Sequence, residues 1–311
     1  MGLVERLLGG DAAALARLLS HVERGDALGE AAVDRLYADT GRAHIVGITG
    51  PPGAGKSTLT NALIGAFRAR DRRVGVVAID PSSPIAGGAA LGDRIRMGEW
   101  HADPGVFVRS MAARGHPGGL APAAADAIHL LDAAGFDPIL IETVGVGQGE
   151  IAVAGASHTV IVVQGPGFGD GVQALKAGLL EIADVLAVNK ADQPGAAEVA
   201  RLLRDELGAF HVGGRTPPVL LVSAIAGDGV EQLAGAIGAH LAHLRDTGGL
   251  AERQRQIAGA DVLARVDAVL RGRLGGQSGW GGPADELLRE VAVRTTSPAA
   301  AAAVLLGRLA Q

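Results

Sequence analysis

Short apolar runs alternate with amphipathic stretches through the middle of the chain. Seven runs rich in β-branched residues recur there: AHIVGIT, RVGVVAID, GVFVRS, PILIET, TVIVVQG, DVLAVNK and PPVLLVSA. Runs that are apolar at nearly every position are typical of strands buried on both faces, as in parallel sheets covered by helices. The pattern therefore predicts a doubly wound α/β domain with about seven mainly parallel strands over residues 43–245.

Residues 1–42 carry a helical pattern instead. Apolar positions share one face in MGLVERLL, and the pattern resumes after Asp11, a residue type that caps helix N-termini. We expect Gly25 and Gly29 to interrupt it before a third helical segment. These residues are predicted to form an N-terminal helical extension.

Residues 246–311 return to a helical pattern. The stretches QIAGADVLARVDAVLRGRL and GPADELLREVAVRT are separated by the breaker GGQSGWGGP, and an alanine run from Ala299 to Ala303 predicts a terminal helix. A helical hairpin cannot bury both of its apolar faces alone. We therefore expect this region to dock or to dimerise.

Composition and charge narrow the function classes. The 311 residues are 48% hydrophobic and 20% charged, which predicts a sizeable core rather than disorder. A net charge of −5 without a basic run argues against nucleic-acid binding. The absence of cysteine excludes disulfides and thiolate metal sites. No signal-like amino terminus and no run of ~18 apolar residues is present, so we expect a cytoplasmic protein without membrane association.

The stretch HIVGITGPPGAGKSTLTNAL, residues 44–63, holds the Walker A spacing between a predicted strand and a predicted helix. Backbone N–H groups of such a loop converge on phosphate oxygens, assisted by the helix N-terminus. Lys56 would reach the β- and γ-phosphates, and the Ser57 hydroxyl would bind Mg²⁺. The motif predicts a P-loop NTPase whose phosphate-binding residues are Gly50, Pro51, Pro52, Gly53, Ala54, Gly55, Lys56, Ser57 and Thr58.

Two further strand ends indicate which base is bound. The motif NKAD at residues 189–192 supplies a carboxylate, Asp192, that can accept from both N1–H and the N2 amine of guanine. Ser223 and Ala224 end the last predicted strand, where GTPases hold the guanine O6 with a backbone N–H. The order of the three motifs predicts GTP and GDP as ligands. The predicted guanine-binding residues are Asn189, Lys190, Asp192, Ser223, Ala224 and Ile225.

Several carboxylates are candidates for the metal and for hydrolysis. Glu142-x-x-Gly145 has the acid-x-x-Gly spacing in which the acid holds Mg²⁺ or its water and the glycine amide senses the γ-phosphate. Asp80 ends a strand and Asp93 precedes one, and Asp93 fits a helix cap equally well. Gln148 stands where a water-orienting residue could act. We predict a metal site from Ser57, Asp80, Asp93 and Glu142, and catalytic roles for Lys56, Asp93, Glu142 and Gln148.

Two histidines are spaced i, i+3 on a predicted helix. His240 and His243 have no third ligand at metal-site spacing. We therefore expect them to lie on a solvated helix face.

The order of GPPGAGKST, AIDPSSP, GGAALGDRIRM, RGHPGGLA, ETVGVGQGE, GDGVQALKAGLLEIADVLAVNKAD and SAIAGDG resembles the GTPases that chaperone adenosylcobalamin-dependent methylmalonyl-CoA mutase. The same family has been named arginine/ornithine transport kinases. The resemblance covers nearly the whole chain, and ETVGVGQ and LGDRIRM are its most discriminating parts.

The resemblance implies a Mg²⁺-dependent, homodimeric GTPase that gates cofactor loading and protection of a B12-dependent acyl-CoA mutase. It implies that the segment GPGFGDGVQALK reports the nucleotide state to the mutase. The amphipathic pattern of residues 246–311 predicts that the dimer forms through this region. This chain departs from the family at Gly171, where a second acid is usual, at His158, where Asp is frequent, and at Gly149, where Ser is frequent.

Two other functions agree less well with the sequence. A nickel-delivery GTPase would be expected to carry clustered cysteines or histidines, which this sequence lacks. A kinase that feeds an amino-acid transport system would be expected to bind ATP, against the guanine motif at residues 189–192.

Overall fold

The apolar runs form one parallel sheet of seven strands in the computed structural model. The structure describes residues 2–80, 98–100, 102–112, 120–143, 149–167, 178–208, 215–274 and 283–309. The strands are β1 (Ile45–Thr49), β2 (Val74–Asp80), β3 (Val106–Ala112), β4 (Ile139–Thr143), β5 (Thr159–Gln164), β6 (Val185–Val188) and β7 (Val219–Leu221). Their order is β3-β2-β4-β1-β5-β6-β7. The predicted doubly wound α/β fold is confirmed.

Helices precede, separate and follow the strands. Before the sheet come α1 (Leu3–Leu8), α2 (Ala12–Arg24) and α3 (Ala27–Leu36). Between the strands lie α4 (Lys56–Arg68), α5 (Pro122–Ala133), α6 (Gly149–Gly155), α7 (Leu179–Ile182) and α8 (Ala196–Leu207). After β7 come α9 (Val230–Asp246), α10 (Gly249–Leu274), α11 (Pro283–Ala292) and α12 (Pro298–Leu309). Single 3₁₀ turns span Tyr37–Asp39 and Gly98–Trp100.

Apolar side chains cover both faces of the sheet. On one face, Ile48 of β1 packs in a cluster with Leu59 and Leu63 of α4. On the opposite face, Ile141 of β4 shares a cluster with Leu18 of α2 and with residues of α5. The helices of residues 1–42 therefore contribute to the same core as the strands. Burying one such side chain stabilises the fold by about 1.5–3 kcal/mol.

Two glycines of the N-terminal helices have different roles. Asp11 caps α2, its Oδ1 accepting from Ala13 N and Ala14 N, as predicted. Gly25 ends α2 with a φ of 66°, in the left-handed region that favours glycine. The prediction that Gly29 interrupts the helices is wrong, because it lies inside α3. A Cβ there would lie 2.7 Å from the Val22 nitrogen, so glycine permits the close approach of the two helices.

The strand order places one crevice at the centre of the sheet. β1 lies between β4 and β5, so the connections leaving β1 and β4 run to opposite sides. Ligands of open parallel sheets bind outside the carboxyl ends of the strands at such a reversal. The loop after β1 is the predicted phosphate loop, and it therefore stands at the expected position.

Buried polar side chains form a chain at the amino-terminal edge of the sheet. His44 Nε2 lies 2.7 Å from the Thr159 Oγ1, which in turn lies 2.8 Å from His240 Nδ1 on α9. His240 Nε2 is 3.3 Å from Asp184 Oδ1. His240 is only 5% exposed, so the prediction of a solvated helix face is wrong for this residue. It shares the buried side of α9 with Ile237, one turn earlier.

The hydrogen bonds that link His44, Thr159, His240 and Asp184 all point the same way, from His44 toward Asp184, when the histidines are neutral. Burial lowers the pKa of His44 to about 3 and also lowers the pKa of His240. The neutral His44 donates from Nε2 to Thr159, and the Thr159 hydroxyl donates to His240 Nδ1. The remaining His240 Nε2–H then faces the Asp184 carboxylate, so each of these three contacts joins a donor to an acceptor.

Asp184 joins this series of hydrogen-bonded side chains to α10. Its Oδ2 accepts from Val160 N at 2.8 Å and from Arg253 Nη2 at 2.9 Å. Further along α10, Asp261 Oδ2 lies 3.1 Å from His129 Nε2 on α5. These polar contacts attach the first half of α10 to the sheet domain.

The chain divides into two compact units, Met1–Asp261 and Val262–Gln311. The boundary falls within α10, and the second unit holds the end of that helix together with α11 and α12. Helices α11 and α12 contact each other, as expected for a helical tail. None of the described helices combines the length and hydropathy that crossing a membrane requires.

We expect the free energy of unfolding to fall as the pH drops below about 6.5, the ordinary pKa of histidine. Burial lowers the pKa of His44 to about 3 and that of His158 to about 4. In this window the unfolded chain binds protons that the folded chain does not. Each histidine then costs up to about 1.4 kcal/mol per pH unit, and nothing above pH 6.5. Chemical denaturation between pH 7 and 5 measures the slope.

His44→Gln provides the matched test, since glutamine keeps a side-chain N–H for Thr159 but does not titrate. Its stability should depend less on pH than that of the parent protein. His243→Gln, at a half-buried position of α9 outside this hydrogen-bonded series, is the control for the substitution itself. Equal slopes in all three proteins would contradict the prediction.

Candidate nucleotide-binding site

The predicted phosphate loop joins β1 to α4 and depends on two of its glycines. Gly50 has a φ of 138°, and a Cβ there would lie 2.1 Å from the Val163 carbonyl oxygen of β5. Gly55 has a φ of 88°, and its Cβ would lie 2.4 Å from Asn189 Nδ2. Any larger residue would displace the loop from its neighbours, so both predicted glycines are sterically required.

Lys56 is the first residue of α4 and is 6% exposed. Its Nζ donates to the carbonyl oxygens of Gly50, at 2.7 Å, and Pro51, at 3.1 Å. The ammonium group therefore lies inside the loop, beside the α4 N-terminus. A positive charge and a helix N-terminus at one place favour an anion such as a phosphate.

Ser57 and Glu142 lie together although 85 positions separate them. Ser57 Oγ donates to Glu142 Oε1 at 2.5 Å, and both residues are buried. Hydroxyl and carboxylate oxygens are the ligands that Mg²⁺ takes from proteins, usually one or two of them besides phosphate oxygens and water. This pair fits Mg²⁺.

Of the other predicted metal and catalytic residues, the structure describes only the strand position of Asp80. Asp80 is the last residue of β2, next to β4 at the same edge of the sheet as Glu142. Asp93, Gly145 and Gln148 lie outside the described residues. Among the residues that the structure describes, no group of three or more acids and histidines could hold a metal ion by itself.

Asn189 connects the phosphate loop to the predicted guanine loop. Its Nδ2 donates to the carbonyl oxygens of Ala54, at 3.0 Å, and Gly55, at 3.3 Å. Its Oδ1 accepts from Ala224 N at 3.1 Å. Because the amide nitrogen bonds one loop and the amide oxygen bonds the other, Asn189 fixes the relative position of the two loops. The next residue, Lys190, has a φ of 59°, which turns the chain sharply after β6.

Asp192 is held in place by the second predicted guanine motif. Ser223 Oγ donates to Asp192 Oδ1 at 2.5 Å, and this bond lowers the pKa of the Asp192 carboxyl. The carboxylate is exposed and charged at neutral pH, as an acceptor for guanine N–H groups must be. Ile225 is 86% exposed at the rim of the same loop.

The structure brings together most of what the motifs predicted and adds side-chain roles that they did not. The phosphate loop, Ser57 and Glu142, and the two guanine loops meet at the carboxyl edge of the sheet. Ser223 was predicted to act through its backbone, but its hydroxyl also orients Asp192. A serine directly after the last buried strand was the signal available for that role.

Comparison with known proteins agrees with this geometry. A sequence model of the family of methylmalonyl-CoA mutase-associated GTPases, MeaB, matches residues 15–275. The chain belongs to this family. Its nucleotide is therefore GTP or GDP, and the protein is a P-loop GTPase, as the motifs predicted.

Individual relatives support the same assignment. The "Putative GTPase" of Pyrococcus abyssi is 44% identical over 308 residues, covering 98% of this chain and 95% of that protein. The "Fused isobutyryl-CoA mutase" of Geobacillus kaustophilus is 36% identical over 218 residues, covering 67% of this chain and 20% of that protein. A crystal structure of "LAO/AO transport system kinase" superposes with a TM-score of 0.75 at 26% identity, covering 99% of this chain and 97% of the other.

Replacing Asp192 by Asn should exchange the base preference of this GTPase. An amide can donate to the xanthine O2 but cannot accept from both guanine N–H groups, so GTP should lose roughly a hundredfold in affinity while XTP gains. Titration with fluorescent GDP and XDP analogues measures the affinities for guanine and for xanthine nucleotides. Glu198→Gln, an exposed acid paired with Arg201, serves as the control. An unchanged ratio of the two affinities would show that Asp192 does not read the base.

Proposed function

We propose that this GTPase acts on a B12-dependent acyl-CoA mutase of the methylmalonyl-CoA mutase type. GTP binding and slow hydrolysis would gate the loading of adenosylcobalamin and protect the loaded mutase. The nucleotide state would be passed on through the segment that follows β5. That segment begins at Gly165 and continues through Asp170, Gly171 and Lys176, which lie outside the described residues.

The similarity to a fused isobutyryl-CoA mutase carries this proposal. A protein with that name contains a segment similar to two thirds of this chain within one polypeptide. Two activities joined covalently are held at high effective concentration, which is useful where they act on each other. The family name, which refers to methylmalonyl-CoA mutase, points in the same direction.

The site supplies positioning and charge rather than covalent chemistry. Phosphoryl transfer to water depends mainly on orienting the reacting groups and on neutralising charge as it spreads over the phosphate oxygens. Lys56 would contact the β- and γ-phosphates, and Ser57 and Glu142 would hold Mg²⁺. Mg²⁺, when bound, would withdraw charge from those phosphates. Asp93 stays a predicted metal ligand, and Gln148 stays predicted to orient the attacking water.

The proposal predicts that a partner mutase accelerates GTP hydrolysis. Turnover at saturating GTP should rise severalfold when methylmalonyl-CoA mutase or isobutyryl-CoA mutase is added, and a B12 enzyme of another class should have no effect. Lys56→Ala, which removes the charge inside the phosphate loop, should abolish turnover with and without the mutase. If no acyl-CoA mutase changes the GTP turnover of the parent protein, the mutase is not its partner.

We also propose a homodimer formed through α10. Its second half presents apolar side chains to solvent in the described structure: Val262, Leu263, Val266 and Val269 are 49–69% exposed. Residues 262, 266 and 269 repeat at helical spacing and make one stripe. A stripe of this kind can be buried against the same stripe of a second copy in a symmetric interface.

An acidic substitution in this stripe should separate the dimer. Val266→Asp combined with Val269→Asp would place four charges in the paired interface, so the mass measured by light scattering should halve. GDP affinity should stay unchanged, because the stripe is remote in sequence from the site. Leu202→Asp, on the exposed side of α8, is the control. A parent protein that is already monomeric, or a variant with unchanged mass, would contradict the dimer.

The similarity to a structure named as a transport system kinase favours a second candidate, phosphotransfer to a protein of an amino-acid transport system. Incubation with labelled ATP and labelled GTP distinguishes the two. Label retained on protein from ATP would support the kinase, and release of phosphate from GTP alone would support the GTPase proposal.

A further inference from the structure

A cavity of about 210 Å³ lies at the amino-terminal edge of the sheet, opposite the edge that carries the phosphate loop. Its walls come from the residues that precede β6 and β7, from one side of α9 and from the first turns of α10. Pockets for drug-sized ligands take about 300–1,000 Å³, so this cavity suits a smaller molecule. The charged and titratable side chains that line it are Asp184, Arg215, His240, His243, Glu252 and Arg253.

Both carboxylates of the cavity already have cations of their own. Asp184 Oδ2 accepts from Arg253 Nη2 at 2.9 Å. Glu252 Oε1 accepts from Gln256 Nε2 at 3.1 Å, and its Oε2 accepts from the exposed Arg255. Neither carboxylate is therefore left to neutralise a further positive charge.

Arg215 supplies that further positive charge. Its side chain is half-buried in the cavity wall, and its guanidinium makes no hydrogen bond or ion pair with any residue that the structure describes. Burial lowers the pKa of His240 against the effect of Asp184, and Arg215 and Arg253 act in the same direction as burial. With neutral histidines, the cavity and the side chains that pair with its lining carry one positive charge in excess.

Hydrogen-bond donors for an anion come from three parts of the chain. Arg215 offers its whole guanidinium fork, and His243 offers a ring nitrogen. Arg253 directs Nη2 to Asp184 and Nε to the His158 carbonyl oxygen at 3.5 Å, whereas its Nη1 takes part in no bond with a described residue. Guanidinium groups match the oxygens of carboxylates and phosphates, which accept two parallel N–H bonds.

We propose that this cavity binds a small free oxyanion, a phosphate or a carboxylate, between Arg215, Arg253 and His243. Such a ligand would join the chain before β7 to α9 and to the beginning of α10. It would thereby strengthen the attachment of α10 that Arg253 and Asp184 begin. The site is separate from the nucleotide loops, which lie at the carboxyl ends of the strands, and the inference does not depend on the proposed mutase partner.

Calorimetric titration tests the site on the full chain. The protein is first saturated with Mg²⁺ and a non-hydrolysable GTP analogue, so that the phosphate loop cannot take up the probe. Inorganic phosphate and succinate are then titrated separately, up to about 10 mM and at constant ionic strength, because added salt would screen the charges. We expect saturable binding of at least one of them and slower hydrogen exchange in the first turns of α10. Binding of phosphate alone would support a phosphorylated ligand, and binding of succinate alone a carboxylate.

Arg215→Gln removes the charge without breaking any bond among the described residues. The affinity for the probe should fall at least about tenfold, because a charge-assisted pair of hydrogen bonds is lost. Arg215→Lys keeps the charge but not the fork, so it should lose less. Arg201→Gln, which removes an exposed cation of α8 that pairs with Glu198, is the matched control and should bind as the parent does. GTP turnover should be unchanged in all three variants.

Two results would overturn the inference. If neither phosphate nor succinate binds saturably to the parent protein, the cavity holds water only. If Arg215→Gln binds the probe as tightly as the parent and Arg201→Gln do, the anion lies elsewhere on the protein. Saturable binding that is weakened in Arg215→Gln, partly kept in Arg215→Lys and unchanged in Arg201→Gln would support it.

Discussion

The site depends on the bonds of one buried side chain, Asn189. Its amide donates to the carbonyl oxygens of Ala54 and Gly55 and accepts from Ala224 N, so the predicted phosphate loop and the predicted guanine loop cannot move independently. Aspartate at this position would turn an oxygen toward the two carbonyls, and a longer amide would not fit beside Gly55, whose missing Cβ makes room for Nδ2. The distance between the predicted phosphate loop and the predicted guanine loop is therefore set by the fold itself.

The strands and the nucleotide loops could be predicted because their signals are local. A strand buried on both faces must be apolar at nearly every position, and the phosphate and guanine loops are contiguous motifs at strand ends. Gly29 and His240 were misjudged for the opposite reason. The first faces a neighbouring helix and the second faces Thr159, 81 positions away, and no periodicity within one helix shows such contacts.

The difference between signals within one motif and contacts between distant residues also applies to the site. Ser57 and Glu142 were each predicted from their own motif, and the parallel sheet brings them together because both follow or end central strands. Trp100 Nε1 donates to Asn61 Oδ1 across 39 positions, between α4 and the turn Gly98–Trp100, and no motif pairs the two residues. Side chains that meet only through tertiary contacts leave no spacing in the sequence from which they could be predicted.

Strands β1, β5 and β6 connect two kinds of polar site. Their carboxyl ends lead into the phosphate loop, the segment from Gly165 and the guanine motif, and their amino ends carry the buried chain of His44, Thr159 and Asp184. Closely packed strands do not deform freely, so a movement of α10 would act on the Asp184 contacts before it changed the sheet. Burial lowers the pKa of His240 although the Asp184 carboxylate favours its protonated form, and Arg253, the residue through which α10 meets that carboxylate, also opposes protonation. The attachment of α10 to the sheet therefore favours the neutral histidines that burial already enforces.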